Sequence, residues 1–272
     1  MIHIAIVSHG HEEILIASKL GGLLQAHQTI HLWIKDNCPS ARLKNYCQEQ
    51  DAQGMQAHIH YTDEQAGMGF GANNNFLFNL IKQQMGFQSG DFFVVMNPDI
   101  IISPETLLNL VAQMHTEKCA LGAPNLFRDC DFQRTDKNIR HFPGLSSLFR
   151  MLTMHSLSEP YDKATLQFST YVDWASGAFL VFDPAHFDAL RGFDTRYFMY
   201  FEDVDICFRS QKLLGRGVRY FPQFKVIHIA AHKNRNLISR HAIWFFHSYF
   251  KFLLRKISQS STLRILKVTG HY

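Results

Sequence analysis

The sequence predicts an α/β protein built on a doubly wound, mostly parallel sheet with flanking helices. A β-branched run at Ile2–Val7, a helical stretch at residues 12–25 and a second apolar run at Ile30–Ile34 give the strand–helix–strand order that begins such sheets. Further along, Phe92–Met96 is an unbroken apolar run, as expected of a central strand buried on both faces. Each strand is followed by polar residues, and such sheets bind ligands beyond the carboxyl ends of their strands.

The composition indicates a globular chain. It has 272 residues, of which 46% are apolar and 18% charged, and a formal net charge of +4, so it is neither disordered nor fibrous. This mild charge suits an anionic nucleotide, a diphosphate lipid or an anionic membrane surface and does not choose among them. The five cysteines include no CxxC pair, which favours a reducing compartment. We expect a first strand, not a secretory leader, at the start, and no apolar run reaches the roughly 18 residues of a membrane span.

The first two predicted strands end in candidate ligand-binding side chains. Ser8 follows the first strand, and Asp36 follows the second. Because the carboxyl ends of neighbouring strands meet at one edge of a sheet, we expect both side chains near a ligand. Asp36 also suits a plain turn with Asn37 and Pro39, and the two interpretations remain open.

A segment rich in glycine and asparagine follows a predicted helix over residues 41–58 and a predicted strand at Ile59–Tyr61. This segment, Gly67–Asn75, precedes the apolar run Phe76–Ile81. We expect a flexible loop whose backbone N–H groups approach a phosphate. It fits neither the P-loop nor the dinucleotide-binding pattern, so spacing alone favours a loop without a ligand.

The central strand ends in Asn97-Pro98-Asp99. A carboxylate at the tip of such a strand suits a divalent cation held against a diphosphate, and the alternative is a polar turn. Ser103-Pro104-Glu105 then predicts a helix start, with the helix running to Met114. For residues 115–170 we expect irregular structure over the mouth of the site. Tyr171–Phe182 combines a small-residue turn with a strand, and glycine in that turn permits close approach of a ligand or of another strand.

The segment Gly192–Arg209 sets three acids directly after a run of aromatic residues. We expect a helix over residues 202–215, with first-turn acids at the positive end of its dipole and Asp205 paired with Arg209. Asp203 suits a general base, because a carboxylate beside apolar rings keeps a raised basicity. The rings suit either a sugar face or core packing.

Two short strands are predicted next, at Val218–Phe221 and Lys225–Ile229. The second contains His228, and His232 lies four residues on. No glutamate follows the first histidine, so the HExxH motif of zinc proteases is absent.

The tail from Asn234 to Tyr272 is predicted to be a basic amphipathic helix. Its basic residues are interleaved with bulky apolar ones, and it carries no Asp or Glu. Such a helix suits a membrane surface, and the alternative is a helix packed on the preceding domain. We therefore divide the chain into a domain at residues 1–232 and a helical, possible membrane-surface segment at residues 233–272.

Several of these segments resemble the family 2 glycosyltransferases of GT-A fold, in particular the bacterial O-antigen rhamnosyltransferases. The acidic block YFMYFEDVDICFR at residues 197–209 carries the family signature, and Asn97-Pro98-Asp99 stands at the DxD element. The segment IVSHGHE at residues 6–12 adds to the match, which spans residue 2 to about residue 232.

The resemblance implies roles for individual residues. It implies that Asp203 is the catalytic base with Glu202 beside it, and that Asp36 receives the N3–H of uracil or thymine. It also implies that Asp99, with His228, holds Mg²⁺ or Mn²⁺ against the donor. The other donor-binding candidates are Ser8, Gly69, Phe70, Gly71, Asn74, Asn97, Trp174 and Gly177.

The implied activity is that of an inverting glycosyltransferase. We expect transfer of L-rhamnose from dTDP-L-rhamnose to N-acetylglucosamine on undecaprenyl diphosphate during O-antigen assembly. The protein would be peripheral, on the cytoplasmic face of the bacterial inner membrane, with no nucleic-acid partner. The alternatives are a UDP-hexose donor, a sugar nucleotidyltransferase and a non-catalytic membrane-surface binding module. A nucleotidyltransferase is disfavoured because the first strand is not followed by a glycine-rich basic loop.

Overall fold

The structure is a computed structural model. It describes residues 1–25, 28–52, 58–144, 147, 150, 157–229 and 240–268, without the side chains of residues 240–242 and 259–268. Its strands are β1 (Ile2–Ser8), β2 (Ile30–Asp36), β3 (His58–Thr62), β4 (Phe92–Met96), β5 (Ile100–Ile101), β6 (Leu121–Phe127), β7 (Ile139–Arg140), β8 (Thr170–Val172), β9 (Trp174–Ala175), β10 (Phe179–Phe182) and β11 (Val218–His228). Its helices are α1 (Glu12–Ala17), α2 (Ala41–Ala52), α3 (Phe70–Gln84), α4 (Pro104–Thr116), α5 (Pro184–Ala189), α6 (Glu202–Leu214) and α7 (Arg240–Val268), with a 3₁₀ turn at Lys163–Thr165.

The central sheet is mixed and mostly parallel. Its strand order is β3-β2-β1-β4-β10-β6-β11-β5, with β8 paired to β11. Strands β1 to β4 run parallel, as do β6 and β11, while β10 lies antiparallel between β4 and β6. One apolar cluster packs α1, α2 and α4 on one face of the sheet, and a second packs α3, α5 and α6 on the other. The predicted α/β architecture is therefore confirmed.

The first helix is shorter than predicted. It ends at Ala17 and not near residue 25, because the chain turns through left-handed backbone at Lys19, Leu20, Gly21 and Gly22. A Cβ on Gly21 would lie 2.8 Å from the Ile100 carbonyl oxygen. This turn therefore needs glycine both for its backbone angles and for its close contact with the chain after β4.

The prediction of irregular structure over residues 115–170 is wrong for β6. This strand is buried at every position although it contains Gly122, Pro124 and Asn125, which disfavour a central strand. Its partner β11 has a register shift between Phe221 and Lys225, opposite Pro124. The register shift thus accommodates the missing N–H of Pro124. The two short strands predicted at Val218–Phe221 and Lys225–Ile229 form one bulged strand, β11.

Helices α4 and α6 begin at their predicted positions, whereas α2 ends at Ala52, earlier than predicted. Helix α4 begins with Ser103 as its N-cap, whose hydroxyl accepts from Thr106 N. Helix α6 begins at Glu202 and stops at Gly215, which has a φ of +65°. The predicted pair of Asp205 and Arg209 forms inside α6 at 2.7 Å.

The C-terminal helix α7 packs on α6. Tyr249, Phe252 and Leu253 are buried in a cluster with residues of α6 and of the turn before it. Among the described helices, none combines the length and apolarity needed to cross a bilayer. The predicted domain boundary at residues 232 and 233 lies outside the described residues.

Candidate active site

The two acids of the Glu-Asp pair occupy different environments at the start of α6. Asp203 is half-buried, and its Oδ2 and Oδ1 accept from Gly177 N at 3.0 Å and Val204 N at 2.8 Å. Glu202 is buried, and its Oε2 has no hydrogen-bond partner among the described residues. Burial and the neighbouring Asp203 raise the pKa of Glu202. Burial also raises the pKa of Asp203, against the two amides that stabilise its charge. Burial thus raises the pKa of both carboxyl groups, so the pair favours one shared proton over two adjacent negative charges.

A sharp turn of the backbone precedes these two acids. Tyr200 and Phe201 both have a φ of +70°, a conformation that is uncommon for large side chains and that clusters at functional sites. Phe201 is held by rings of α7, with centroid distances of 5.5 Å to Phe245, 5.7 Å to Tyr249 and 5.8 Å to Phe252. The packing of α7 thus supports the turn that places Asp203.

Gly177 lies between Phe70, the first residue of α3, and Asp203. A Cβ on Gly177 would lie 3.1 Å from the ring of Phe70 and 3.4 Å from the Cβ of Asp203. A Cβ on Gly71 would lie 2.8 Å from the Cβ of Phe193. Gly71 and Gly177 therefore allow α3 and the start of β10 to approach the acidic block closely.

The predicted flexible loop is wrong for most of the segment. Helix α3 begins at Phe70, with Gly69 as its N-cap. Asn74 is buried, and its amide donates to the Phe70 carbonyl at 3.0 Å. Asn75 donates to and accepts from the Phe193 backbone, both at 2.8 Å. The asparagines therefore fix the first turns of α3 on the acidic block.

Asp99 and His228 meet at the adjoining strand ends. The Nε2 of His228 lies 3.5 Å from Asp99 Oδ1, and its Nδ1–H donates to Asp136 Oδ2 at 2.6 Å. Burial opposes the charged imidazolium, but the two carboxylates outweigh it and raise the pKa of His228 to about 9. Burial would raise the pKa of Asp99, yet His228 lowers it overall. Once Nε2 has lost its proton, an imidazole oriented by one carboxylate, with that nitrogen toward a second, has the chemistry of a metal ligand with an outer-shell partner.

Asp136 and its neighbour Arg128 were missed as site residues by the sequence reasoning. Arg128 Nη2 lies 3.1 Å from Asp136 Oδ1, so a cation stands behind the carboxylate that orients His228. Both residues come from the stretch predicted to be irregular, and no local pattern marks them. His232, the second histidine of the HxxxH pair, lies outside the described residues.

A short run of backbone joins the two halves of the site. Gly177 N donates to Asp203, and the carbonyl of the next residue, Ala178, accepts from Asn97 N at 2.9 Å. Asn97 itself is half-buried at the end of β4. Asp203 and the segment that leads to Asp99 are thus linked at one edge of the sheet, and a single cleft lined by both acids stays a prediction.

The chain is similar in sequence to two rhamnosyltransferases. No protein-family model matches the chain. Rhamnosyltransferase WbbL of Escherichia coli (strain K12) is 33% identical over 258 residues, which cover 94% of this chain and 94% of that protein. The chain belongs to the family 2 glycosyltransferases. The N-acetylglucosaminyl-diphospho-decaprenol L-rhamnosyltransferase of Mycobacterium tuberculosis (strain ATCC 25618 / H37Rv) is 31% identical over 188 residues, covering 61% of this chain and 57% of that protein.

Solved structures support the GT-A fold of this glycosyltransferase. The mannosyltransferase PcManGT from Pyrobaculum calidifontis, in complex with GDP-Man and Mn²⁺, superposes with a TM-score of 0.59 and 10% identity. The match covers 86% of this chain and 58% of that chain. At this identity the likeness is evidence for the fold alone.

The remaining donor-binding candidates of the glycosyltransferase are already engaged by protein groups. Ser8 is buried, and its hydroxyl accepts from His11 N at 3.3 Å. Asp36 is fully buried, and its carboxylate accepts from the backbone N–H of Cys38 and Ser40 and from the Tyr61 hydroxyl. These are the contacts of the turn interpretation, and recognition of the base by Asp36 stays a prediction.

The aromatic candidates divide between core and surface. Tyr197 and Phe201 are buried, whereas Phe198 is exposed and contacts the Trp244 ring at 5.0 Å. Trp174 is half-buried, and its indole N–H donates to the His141 carbonyl at 2.9 Å. Packing therefore accounts for two of the rings, and sugar contacts by Phe198 or Trp174 stay predictions.

Proposed function

We propose that this glycosyltransferase is an inverting rhamnosyltransferase that transfers L-rhamnose from dTDP-L-rhamnose to N-acetylglucosamine on a lipid diphosphate, undecaprenyl diphosphate. Two relatives named as rhamnosyltransferases support this choice, and the name of one includes an N-acetylglucosaminyl-diphospho-decaprenol. The place of action is then the cytoplasmic face of the bacterial inner membrane, where O-antigen or a related polysaccharide is assembled. The division of the chain at residues 232 and 233 is part of the same proposal.

The observation that carries the proposal is the half-buried carboxylate of Asp203 held by Gly177 N and Val204 N. Asp203 accepts the proton of the acceptor hydroxyl while that oxygen bonds to the anomeric carbon. The bond from this carbon to the nucleotide diphosphate breaks, and the anomeric configuration inverts. Two backbone amides orient the carboxylate of Asp203, whereas Glu202 Oε2 is buried without a hydrogen-bond partner among the described residues, so we assign the proton acceptor to Asp203.

Asp99 and His228 would hold a divalent metal, Mg²⁺ or Mn²⁺. No group of three or more His, Cys, Asp or Glu side chains in the described part of the chain forms a complete cage, and Mg²⁺ typically takes further ligands from phosphates and water. When bound, the ion offsets the negative charge of the departing diphosphate. The Nδ1 hydrogen bond to Asp136 keeps Nε2 of His228 directed to Asp99.

The test of the base is the variant Asp203→Asn. General-base catalysis contributes about 10²–10⁴-fold, so kcat should fall by about that factor while donor binding, measured by calorimetry, stays. Asp131→Asn is the matched control, because Asp131 is an exposed acid outside the site. Undiminished transfer by Asp203→Asn would refute the assignment.

The test of the donor is a comparison of substrates. Purified protein is given dTDP-L-rhamnose, UDP-galactose or UDP-glucose with an N-acetylglucosaminyl diphosphate lipid, and nucleotide release is measured. The proposal expects release with dTDP-L-rhamnose. Turnover only with a UDP-sugar would replace the rhamnosyl assignment with the UDP-hexose alternative.

A further inference from the structure

The C-terminal helix α7 has an outward apolar stripe. The stripe consists of four residues whose side chains are exposed, with Ile243 and Leu254 at 70% and Phe250 at 51%. Spacings of three and four residues place them on one side of a helix. The members of the stripe are Ile243, Phe246, Phe250 and Leu254. Exposed apolar surface that is contiguous along an element marks an interaction site more often than isolated exposed residues do.

The opposite side of α7 is anchored to the catalytic part of the molecule. Tyr249 and Phe252 are fully buried, and Arg255 forms ion pairs with Asp194 and Asp205. Asp205 lies two residues from the proposed base, in the same helix. The stripe is therefore attached to the active site through a packed and charge-paired contact, and its position relative to Asp203 is fixed.

Charge selects the partner of the stripe. Residues 234–272 contain seven Lys and Arg and no Asp or Glu. Pairing of two such segments from two copies would lack the opposite charges that join helices in coiled coils. Three of the seven are held by the preceding domain: Lys251 donates to the Arg196 carbonyl, Arg255 pairs with Asp194 and Asp205, and Lys256 donates to the Pro143 carbonyl. A surface of anionic phospholipids supplies opposite charges for the remaining four, Arg235, Arg240, Arg264 and Lys267, and basic segments gain about 1 kcal/mol per residue near such a surface.

We propose that α7 docks the enzyme on an anionic phospholipid bilayer, with the outward stripe inserted at the level of the headgroups. This inference deepens the proposed function, on which it rests for the lipid-linked acceptor. Since the inner side of α7 is fixed to α6, docking sets the height of Asp203 above the bilayer. The diphosphate-linked sugar of the acceptor then lies within a defined distance of the base.

The experiment is co-sedimentation of the full chain with vesicles, without donor or acceptor. Vesicles of phosphatidylethanolamine with phosphatidylglycerol are compared with vesicles of phosphatidylcholine alone. The double variant Ile243→Glu/Leu254→Glu should bind the anionic vesicles about a hundredfold more weakly, because burial of each side chain is worth about tenfold or more. Phe168→Glu is the control, since Phe168 is 84% exposed outside α7, and it should bind like the unaltered chain.

Several outcomes would overturn the proposal. These are failure of the unaltered chain to bind anionic vesicles, equal binding by the double variant, or a dimer in light scattering that the variant disperses while no vesicle binding occurs. Thermal unfolding verifies that the double variant is folded, and Phe250→Glu serves as a second variant if it is not.

Failure of the docking proposal can be distinguished from failure of the proposed function. Transfer to a water-soluble, short-chain N-acetylglucosaminyl diphosphate should be unchanged in the double variant, whereas transfer to an acceptor embedded in vesicles should fall. If the double variant loses vesicle binding but neither it nor the unaltered chain releases nucleotide, the docking proposal stands and the transferase assignment is refuted. If the unaltered chain transfers the sugar but does not bind vesicles, the transferase assignment stands and the docking proposal is refuted.

Discussion

Substitution of Gly69 tests whether the segment Gly67–Asn75 must contact the acidic segment Gly192–Arg209. Gly69 has a φ of −70° and a ψ of 168°, angles that any residue adopts, so the absence of a side chain is what matters there. In Gly69→Ala the new Cβ would lie 2.1 Å from the carbonyl oxygen of Phe198 and 2.9 Å from its carbon. Ordinary contacts between such atoms begin near 3.5 Å, so the two segments must separate by at least about 1 Å.

The expected cost follows from that displacement. Overpacking costs about 1–3 kcal/mol, and loss of the 3.3 Å hydrogen bond from Phe70 N to Phe198 O adds about 1 kcal/mol. The free energy of unfolding should therefore fall by about 2–4 kcal/mol, and the melting temperature by about 5–10 °C. A displacement of about 1 Å beside the catalytic base should lower kcat/KM by about a hundredfold.

The matched control is Gly67→Ala. Gly67 has a φ of +85°, and a Cβ there would meet nothing within 4 Å, so this variant carries backbone strain of about 1 kcal/mol without a clash. Thermal unfolding and nucleotide-release kinetics are measured for both variants. If Gly69→Ala retained the kcat/KM of Gly67→Ala, the contact with Phe198 would not matter for catalysis and the reasoning would fail.

Two further predictions concern protonation and metal affinity. Burial, then neighbouring histidine charges, lower the pKa values of His3 and His31 to about 4, so the folded state keeps them neutral. The free energy of unfolding should therefore be highest above pH 6.5 and fall as the pH falls toward 4, by up to about 1.4 kcal/mol per pH unit for each histidine. A urea midpoint unchanged between pH 7 and pH 5 would contradict this. Asp136→Asn should weaken Mn²⁺ binding by about 10–100-fold by releasing His228, as measured by metal titration with the donor nucleotide present, and unaltered affinity would exclude that role.

Much of the fold follows from local patterns in the sequence. The unbroken apolar run of β4 predicts a doubly buried strand, and each of its positions is buried. Ser103 and Pro104 predict the start of α4, and Gly215 predicts the end of α6, because these positions depend on capping chemistry within a few residues. The acidic block was identified for the same reason, since its residues are close in sequence.

The parts that local patterns missed depend on distant contacts. β6 contains Pro124, which favours a loop, but the bulge in β11 lies 97 residues away and accommodates it. Asp136 becomes a site residue only because His228, 92 residues later, folds beside it. The same holds for Gly71, where an added Cβ would lie 2.8 Å from the Cβ of Phe193, so a segment predicted to be a flexible loop is a helix fixed by packing.

The direction of β10 explains how two acids far apart in the sequence reach one edge of the sheet. β10 runs antiparallel to β4, with Phe179 beside Met96, so the amino end of β10 lies at the carboxyl end of β4. Gly177, which binds Asp203, is thereby placed next to the segment that leads to Asp99. A parallel β10 would carry Gly177 to the other edge, roughly 16 Å away over five residues. The reversal of one central strand is therefore the step of the topology on which the combined site depends.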